Sequence, residues 1–524
     1  MEVESLNLRA ASLAVVCLLL GALAFAQTQK PVLYPVVGGT ESLPLSALAQ
    51  LYPRARRSPA AATPCSAGGA FGNFTVVLNC DGNDSDGPTA YGSTPDTDMA
   101  VSEQYVIQTV DNVFTIYNKS DLSVVEGPAD LALPWTGFEV SSCMTPGSGD
   151  DFIVRYDKAA ARWVMALPIF GDAEGHYWLC LAVSTSSDPT GTYYLYAIQE
   201  TGTGQPIWDY PKLGVWTDAY YIGFNMFSPK PAYLGSKACA LDRTSMLAGA
   251  KPAEMQCFFE SSPANSLMLP ADIAGGPQPA TGEPEFFLDI AKATANLHTT
   301  LNLWDFHVDF TTPANSTFSG PAVLDVAGFT EGSVYVAEPD GALNSRSDRL
   351  MVPLAWRQTS DGVEHLVVNH AVAAKGLTTT QWLDITSPAS APVVAQEGGL
   401  TPPARESYWM GSVNMDQDGD IALGFSNSGS TTFPGISFTG RLVSDAPGTM
   451  EAVQSVISGA GYQEGSDNAW GDHSIMAVDP SDDCTFWYSN EYYSAAASGT
   501  DQFSTRIIEL KFTACPASGA GVPR

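Results

Sequence analysis

Positive charge is what this chain has least of. It carries 24 Lys and Arg against 56 Asp and Glu in 524 residues, a formal net charge of −32 with six His neutral. A field of that sign repels phosphate backbones and anionic lipid surfaces, which excludes nucleic acid as a partner. Charge of either sign is scarce, 15% of residues against 45% hydrophobic, a composition that builds a large core and excludes a disordered chain. After residue 26 no apolar run reaches the roughly 18 residues a membrane-spanning helix needs, so no membrane insertion is expected. No long stretch has helical period. None of the nine cysteines stands in a CxxC pair or beside a His, which argues against metal and thiol redox chemistry.

What is present begins with Arg9, an apolar stretch from Ala10 to Ala24, and Ala24-Phe25-Ala26. That charge, length and small-residue exit predict a secretory signal peptide over residues 1–26 and a secreted, extracellular or periplasmic protein. Cys17 falls inside it. The other eight cysteines form close sequential pairs, predicting disulfides Cys65–Cys80, Cys143–Cys180, Cys239–Cys257 and Cys484–Cys515. Residues 27–94, rich in Pro, Ala, Gly and Ser, read as a leader. Within it lie Arg54-Ala55-Arg56-Arg57, of the kind processing proteases cut, and one good strand, Phe74 to Leu78. Asn73, Asn83, Asn118 and Asn315 head Asn-x-Ser/Thr sequons, glycan acceptors in a eukaryotic secretory pathway.

From residue 95 the chain reads as β throughout, short runs of Val, Ile, Tyr, Phe and Trp between Gly, Pro, Asn, Asp and Ser turns. The strands recur in groups of about four every ~60 residues, the period of a propeller. Groups open near Asp98, Phe152, Asp209, Met268, Asp348, Trp409 and Asp472. The openings are alike: Asp150 to Asp157 and Asp472 to Asp479 both place Asp seven residues before Asp. The last group has three clear strands, and the segment around Phe74 to Leu78 supplies a fourth. The expected fold is all-β, a seven-bladed β-propeller over residues 95–515 closed by an N-terminal strand, with a tail at 516–524.

Ser186-Ser187-Asp188-Pro189-Thr190-Gly191-Thr192-Tyr193 resembles an Asp-box with one extra residue before its Gly, lying between the third and fourth strands of its group. The openings Asp209 to Val215 and Trp470 to Pro480 are similar to inner-strand segments of secreted bacterial propellers. Over most of residues 95–515 the chain therefore resembles secreted sialidase-like (BNR/Asp-box) β-propeller proteins, largely uncharacterised bacterial members. The resemblance implies the fold. Sialidases of this fold use three arginines, a Tyr nucleophile with a Glu partner, and an early Arg-Ile-Pro segment. No Arg-Ile-Pro occurs here, and of Arg155, Arg349 and Arg405 the first lies mid-strand, so the resemblance does not extend to sialidase chemistry.

In a propeller, ligands meet the face where each innermost strand begins. Asp150, Asp209, Asp348 and Asp472 would form a partial acidic ring there, with His473 and Arg349 adjacent. Asn225-Met226, Asn369-His370 and Asn490-Glu491 look like one repeated position at the ends of second strands, which adds His370, Glu491 and Tyr492. Crowded carboxylates stay charged only with a cation among them or with one proton held, and either is useful chemistry. The competing reading is that each Asp caps a turn. Trp208, Tyr210, Trp409, Trp470 and Tyr492 would suit stacking on sugar rings. His307 and His365 read as packed within strands.

Asp416-Gln417-Asp418-Gly419-Asp420 sets oxygen ligands at alternate positions around a glycine turn, like the beginning of a calcium loop. An EF-hand needs Glu six residues after that Gly, where Phe425 stands, so the choice is between a structural calcium on Asp416, Asp418 and Asp420 and a plain hairpin turn.

The residues point to a carbohydrate-active enzyme, a glycoside hydrolase or polysaccharide lyase, with its site at the channel mouth. The catalytic candidates are Asp209, Asp472, His473, His370 and Glu491. Arg349, Asp348, Asn369, Trp409 and Tyr492 would hold the substrate, Arg349 taking an anionic group. The alternatives are a non-catalytic propeller that binds glycan or protein, and a calcium-dependent esterase or lactonase. In each the partner is a glycan or other extracellular ligand, and the protein is expected to be a monomer.

Overall fold

The computed structural model describes residues 29–52, 65–84, 94–145, 151–172, 174–200, 206–230, 232–261, 267–291, 293–464, 468–495, 498–499 and 503–515. The stretch 1–26 expected to be a signal peptide, the Arg54–Arg57 cluster, Asp150 and the tail 516–524 lie outside the described residues. The rest is almost all strand, in antiparallel sheets. Among the described residues no helix is long and apolar enough to cross a membrane.

The architecture follows from the leading strand of each antiparallel group: Asp98–Val101, Ile153–Asp157, Ile207–Val215, Leu269–Gly275, Leu350–Gln358, Glu406–Met415 and Ile475–Val478. Each touches the next, and Ile475–Val478 returns to Asp98–Val101, so the leading strands close into a ring. Leu269–Gly275 and Leu350–Gln358 pair in parallel, joining two groups into one eight-stranded sheet. Close approach has a local cause: a Cβ on Gly214 would stand 1.9 Å from the Ala271 carbonyl oxygen, so only glycine lets these neighbouring strands meet. The faces between sheets are filled with aliphatic and aromatic side chains, and Trp135, Trp163, Trp216, Trp356, Trp382 and Trp487 are fully buried.

Phe74–Asp84 pairs with Ser504–Phe512 and completes the last sheet. The residues before it are more than a leader. Val32–Tyr34 pairs with Met255 to Cys257, and Val36–Glu41 pairs with Tyr194 to Ile198, adding a fifth strand to two adjacent sheets. Helix Leu45–Leu51 buries Leu45, Leu48 and Ala49 in a core shared with Leu133 and Trp135. The expectation missed these because a Pro- and Gly-rich strand gains its ladder only from an edge the distant chain supplies. All four disulfides pair as expected. One sequon is corrected: Asn83 is 6% exposed, and its Oδ1 accepts hydrogen bonds from Thr115 (2.7 Å) and Tyr117 (3.3 Å), so no glycan fits there.

One insertion breaks the repeat. The hairpin Tyr335–Glu338 and Gly341–Asn344 lies between the fourth and fifth groups. Its Val336 and Leu343 pack with Trp409, Met410, Trp470, Tyr493 and Phe503, over the end of the ring where leading strands begin. The Ser428 hydroxyl donates to the Ala337 carbonyl (2.9 Å), and the Gln463 N–H donates to Glu338 (3.2 Å).

Candidate functional site

The hairpin leaves one part of that end open, as a cavity of about 450 Å³. Asp96, Asp151, Asp209 and Asp472 line it from the starts of four leading strands, and Arg346 and Arg349 from the segment after the hairpin. Local backbone explains the aim. The ladder between Ile207–Val215 and its neighbour bulges between Asp209 and Lys212, and Tyr210 takes a left-handed φ of 52°. Consecutive Asp209 and Tyr210 thus both face the cavity, which strand alternation forbids. Asp151 also has a positive φ, 50°, a strained conformation for a residue with a Cβ.

Beneath the floor stands a polar cluster. His473 Nε2 is 3.0 Å from Asp151 Oδ1 and 3.6 Å from Asp472 Oδ1. The Lys212 ammonium stands against the same ring, 3.1 Å from Nδ1 and 2.9 Å from Nε2, and 3.7 Å above the centroid of Tyr210. Above it, Arg349 grips Asp348 through two contacts (2.9 and 3.1 Å) and lies 4.6 Å from the Tyr210 ring. Arg346 Nε is 2.9 Å from Asp472 Oδ2. The Tyr210 hydroxyl donates to the Asp472 carbonyl (3.2 Å).

These neighbours push two carboxyls apart. Burial raises Asp209, and the charge of Asp151 raises it further, against the pull of Arg349. Burial also acts to raise Asp151, but His473 and Lys212 outweigh it and hold that carboxyl below the usual carboxylate range. Burial brings Lys212 down to about 8, against the attraction of Asp472 and Asp151. The wall also has an unfilled hydrogen-bonding place: Asn225 is 5% exposed, lines the cavity, and its buried Oδ1 has no hydrogen-bond partner among the described residues.

Of the residues singled out from the sequence, Asp209, Asp472, His473, Arg349 and Asp348 come together here. The others do not. Trp409 is fully buried under the hairpin, its indole N–H donating to Ser428 (3.2 Å), so it offers no stacking face. Tyr492 is 7% exposed and its hydroxyl donates to Asp81 (3.0 Å), on the side of the closing N-terminal strand. Trp208 is likewise buried, while Tyr210 and Trp470 reach the cavity. His370 meets the edge of Phe329 (4.4 Å), and burial pushes its ring down to about 3, which removes it from acid–base work. Asn369 is fully buried against Gly411, where an added Cβ would come within 2.2 Å of its Oδ1. Glu491 is sealed from solvent, raised well above the usual range by burial, and accepts the Gly471 N–H, so it props the turn that carries Asp472. The repeated Asn position therefore met three environments: Asn490 is bound by Ser474 and Tyr488, Asn369 is packed away, and Asn225 faces the cavity.

Sequence reasoning missed Asp96, Asp151, Lys212 and Arg346, having named Asp150 where its neighbour Asp151 lines the cavity. A signal for Asp96 exists, since it stands two residues before its leading strand as Asp151 does before Ile153. Arg346 follows the inserted hairpin, which has no counterpart in the repeat. Arg155, mid-strand, points into the ring and pairs with Asp98.

Asp96, Asp472 and His473 each bring one ligand atom within 4.8 Å of the others. Two of these three donors already face protein cations, His473 facing Lys212 at 2.9 Å and Asp472 facing Arg346 at 2.9 Å. In the Asp416–Asp420 turn, Asp416 Oδ1 accepts the N–H of Asp418 (2.9 Å) and Asp420 (3.0 Å), and Asp420 Oδ1 accepts that of Val443 (2.6 Å). Those carboxylate oxygens do the work of turn caps.

No family model matches the chain, and no curated protein matches it. Solved structures similar to it include an exo-beta-1,3-galactanase from Phanerochaete chrysosporium, 10% identical, covering 85% of this chain and 96% of that one with a TM-score of 0.30. Others are the WD40 domain of SCAP from fission yeast (8% identical, 78% and 82% covered, TM-score 0.34) and an alpha-L-arabinofuranosidase from Lactobacillus brevis (12%, 62% and 96%, 0.29). At such TM-scores the likeness carries no chemistry across.

Proposed function

We propose that the protein is a secreted glycoside hydrolase on a seven-bladed β-propeller, with the cavity between Asp151, Asp209 and Asp472 as its active site. Seven leading strands in a closed ring, each heading an antiparallel group, support the blade count. Four disulfides support an oxidising destination. One observation carries the activity: two carboxyls of adjacent leading strands, in one cavity, are driven in opposite directions. That split is what assigns acid and base in carboxylate catalysis.

Asp209, inclined to keep its proton, serves as the general acid that protonates the departing glycosidic oxygen. Asp151, held ionised, serves either as the base that takes a proton from the water attacking the anomeric carbon or as the nucleophile that bonds to that carbon until water displaces it. Asp472 and Asp151 together place negative charge beside a transition state that gains positive charge. Arg349 and Arg346 sit at the rim to orient hydroxyl or carboxylate groups of the sugar, and Asn225 offers its open hydrogen-bonding place to one more.

Hydrolysis of a panel of glycans by the unmodified protein, Asp151→Asn and Asp209→Asn tests this. Each replacement should lower kcat by about 10²–10⁴-fold on the substrate the unmodified protein cleaves. Undiminished turnover in both variants would sink the assignment.

A further inference from the structure

We propose that Lys212, acting through the ring of His473, is the positioning residue that keeps the Asp151 carboxylate ionised and turned into the cavity. The inference rests on the reading of Asp151 as the ionised partner of Asp209.

The geometry starts from a lysine in an unusual place. Lys212 is 2% exposed, and among the described residues no carboxylate makes a salt bridge to it. A buried ammonium is costly unless something answers its charge. What it meets is His473, itself 2% exposed, at 2.9 and 3.1 Å from the two ring nitrogens, with the face of Tyr210 on its other side at 3.7 Å. An ammonium only donates, so one ring nitrogen must accept from it. His473 Nε2, 3.0 Å from Asp151 Oδ1, carries the proton that an ionised carboxylate accepts. Nδ1 is then the ring nitrogen able to accept. The ammonium is nearly equidistant from the two nitrogens, 3.1 Å from Nδ1 and 2.9 Å from Nε2, so it stands against the ring rather than along one lone pair and acts on Asp151 by its charge as well as through the imidazole.

The arrangement also orients Asp151. Its backbone is held at a φ of 50°, the imidazole holds one of its oxygens on the floor, and the residue lines the cavity. Among the charged groups around the pair, Asp96 and Asp98 face Lys212 from the first sheet, Asp472 from the last, and Asp209 faces Asp151 from the third. Arg349 and Arg346 lie beyond Tyr210. Among the described residues Lys212 is the ammonium that acts on Asp151 from the floor side, Arg155 being engaged by Asp98, and removing it leaves the Asp151 carboxylate with His473 among like charges.

Asp151 can be followed directly in full-length protein labelled with ¹³C at the aspartate carboxyl carbons, its resonance assigned by its loss in Asp151→Asn. In the unmodified protein it should titrate below the ordinary Asp range and show a second, smaller inflection near pH 8, where Lys212 gives up its proton. In Lys212→Met the main titration should rise by about 1–3 pH units and the second inflection should vanish, and Lys212→Arg should hold the low value without the inflection near pH 8. With a cleaved glycan, the acid limb of kcat/KM should move upward with Asp151 while KM stays put. Absence of the second inflection in the unmodified protein overturns the proposal without needing any variant to fold. So does an Asp151 that titrates at the same pH with and without Lys212. If the unmodified protein cleaves no glycan, the hydrolase reading fails while the carboxyl titration still judges Lys212.

Discussion

Arg155 Nη1 lies 2.8 and 2.7 Å from the two oxygens of Asp98, and its Nε donates to the Leu213 carbonyl at 3.1 Å. One side chain so ties three successive leading strands inside the ring, where it is 5% exposed and Asp98 2%. The pair is a fastener of the ring whose open end carries the cavity.

Removing one member should be far worse than removing both. Arg155→Met leaves the Asp98 carboxylate buried beside apolar groups and should cost about 3–5 kcal/mol, while Arg155→Met with Asp98→Leu should recover much of that. Urea unfolding midpoints check it: a single variant as stable as the unmodified protein would show that the ion pair fastens nothing.

The pH–rate profile should be bell-shaped, with Asp151 ionised and Asp209 protonated in the active form. Asp209 is raised, so activity should fall on the basic side as Asp209 loses its proton, and Asp151 is lowered, so the acid limb should lie below the ordinary carboxylate range. Asp209→Asn should lose the basic limb along with most of the rate. A basic limb unchanged in the residual activity of that variant would assign the acid elsewhere.

Stability should fall between pH 5 and pH 8. Burial pushes Asp416 up to about 8 and Asp289, Glu338 and Glu509 up to about 7. A carboxyl raised on folding stabilises fully below its unfolded value near 4, and that contribution is lost as pH rises through the folded value. Thermal melts should therefore give a higher Tm at pH 5 than at pH 8. Asp416→Asn, which keeps the cap oxygen, should raise Tm at pH 9 and not at pH 4. A calcium-induced rise in Tm that Asp416→Asn abolishes would instead establish an ion in that turn.

Deleting residues 32–41 should expose the edges at Tyr194–Ile198 and Met255–Cys257, which now pair with Val36–Glu41 and Val32–Tyr34. Unpaired edges recruit other strands, so the shortened protein should melt lower and self-associate as its concentration rises. Light scattering would follow this, and a monomeric, equally stable variant would make the two strands ornamental.

Much of the fold was legible because its signals are local. Short apolar and aromatic runs mark strands such as Phe152 to Tyr156, close cysteine pairs mark disulfides, and the Asp of successive openings marks where groups begin. The site was legible in part for the same reason: Asp209 and Asp472 head repeated openings. Lys212 was not, since strand period alone makes it a mid-strand residue, and a bulge set its direction. Trp409 misled because nothing near it in sequence announces the hairpin at 335–344 that covers it.

By itself the sequence determined composition, charge sign, β periodicity, the cysteine partners and the recurrence of openings, since each depends on residues within a few tens of positions. Tertiary structure alone decided that Asp96 and Asp472 share one cavity, that Arg346 reaches it, and that Asp151 and Asp209 hold their protons differently. Those properties arise from distance and burial between groups from tens to hundreds of residues apart, which meet only once the ring has closed.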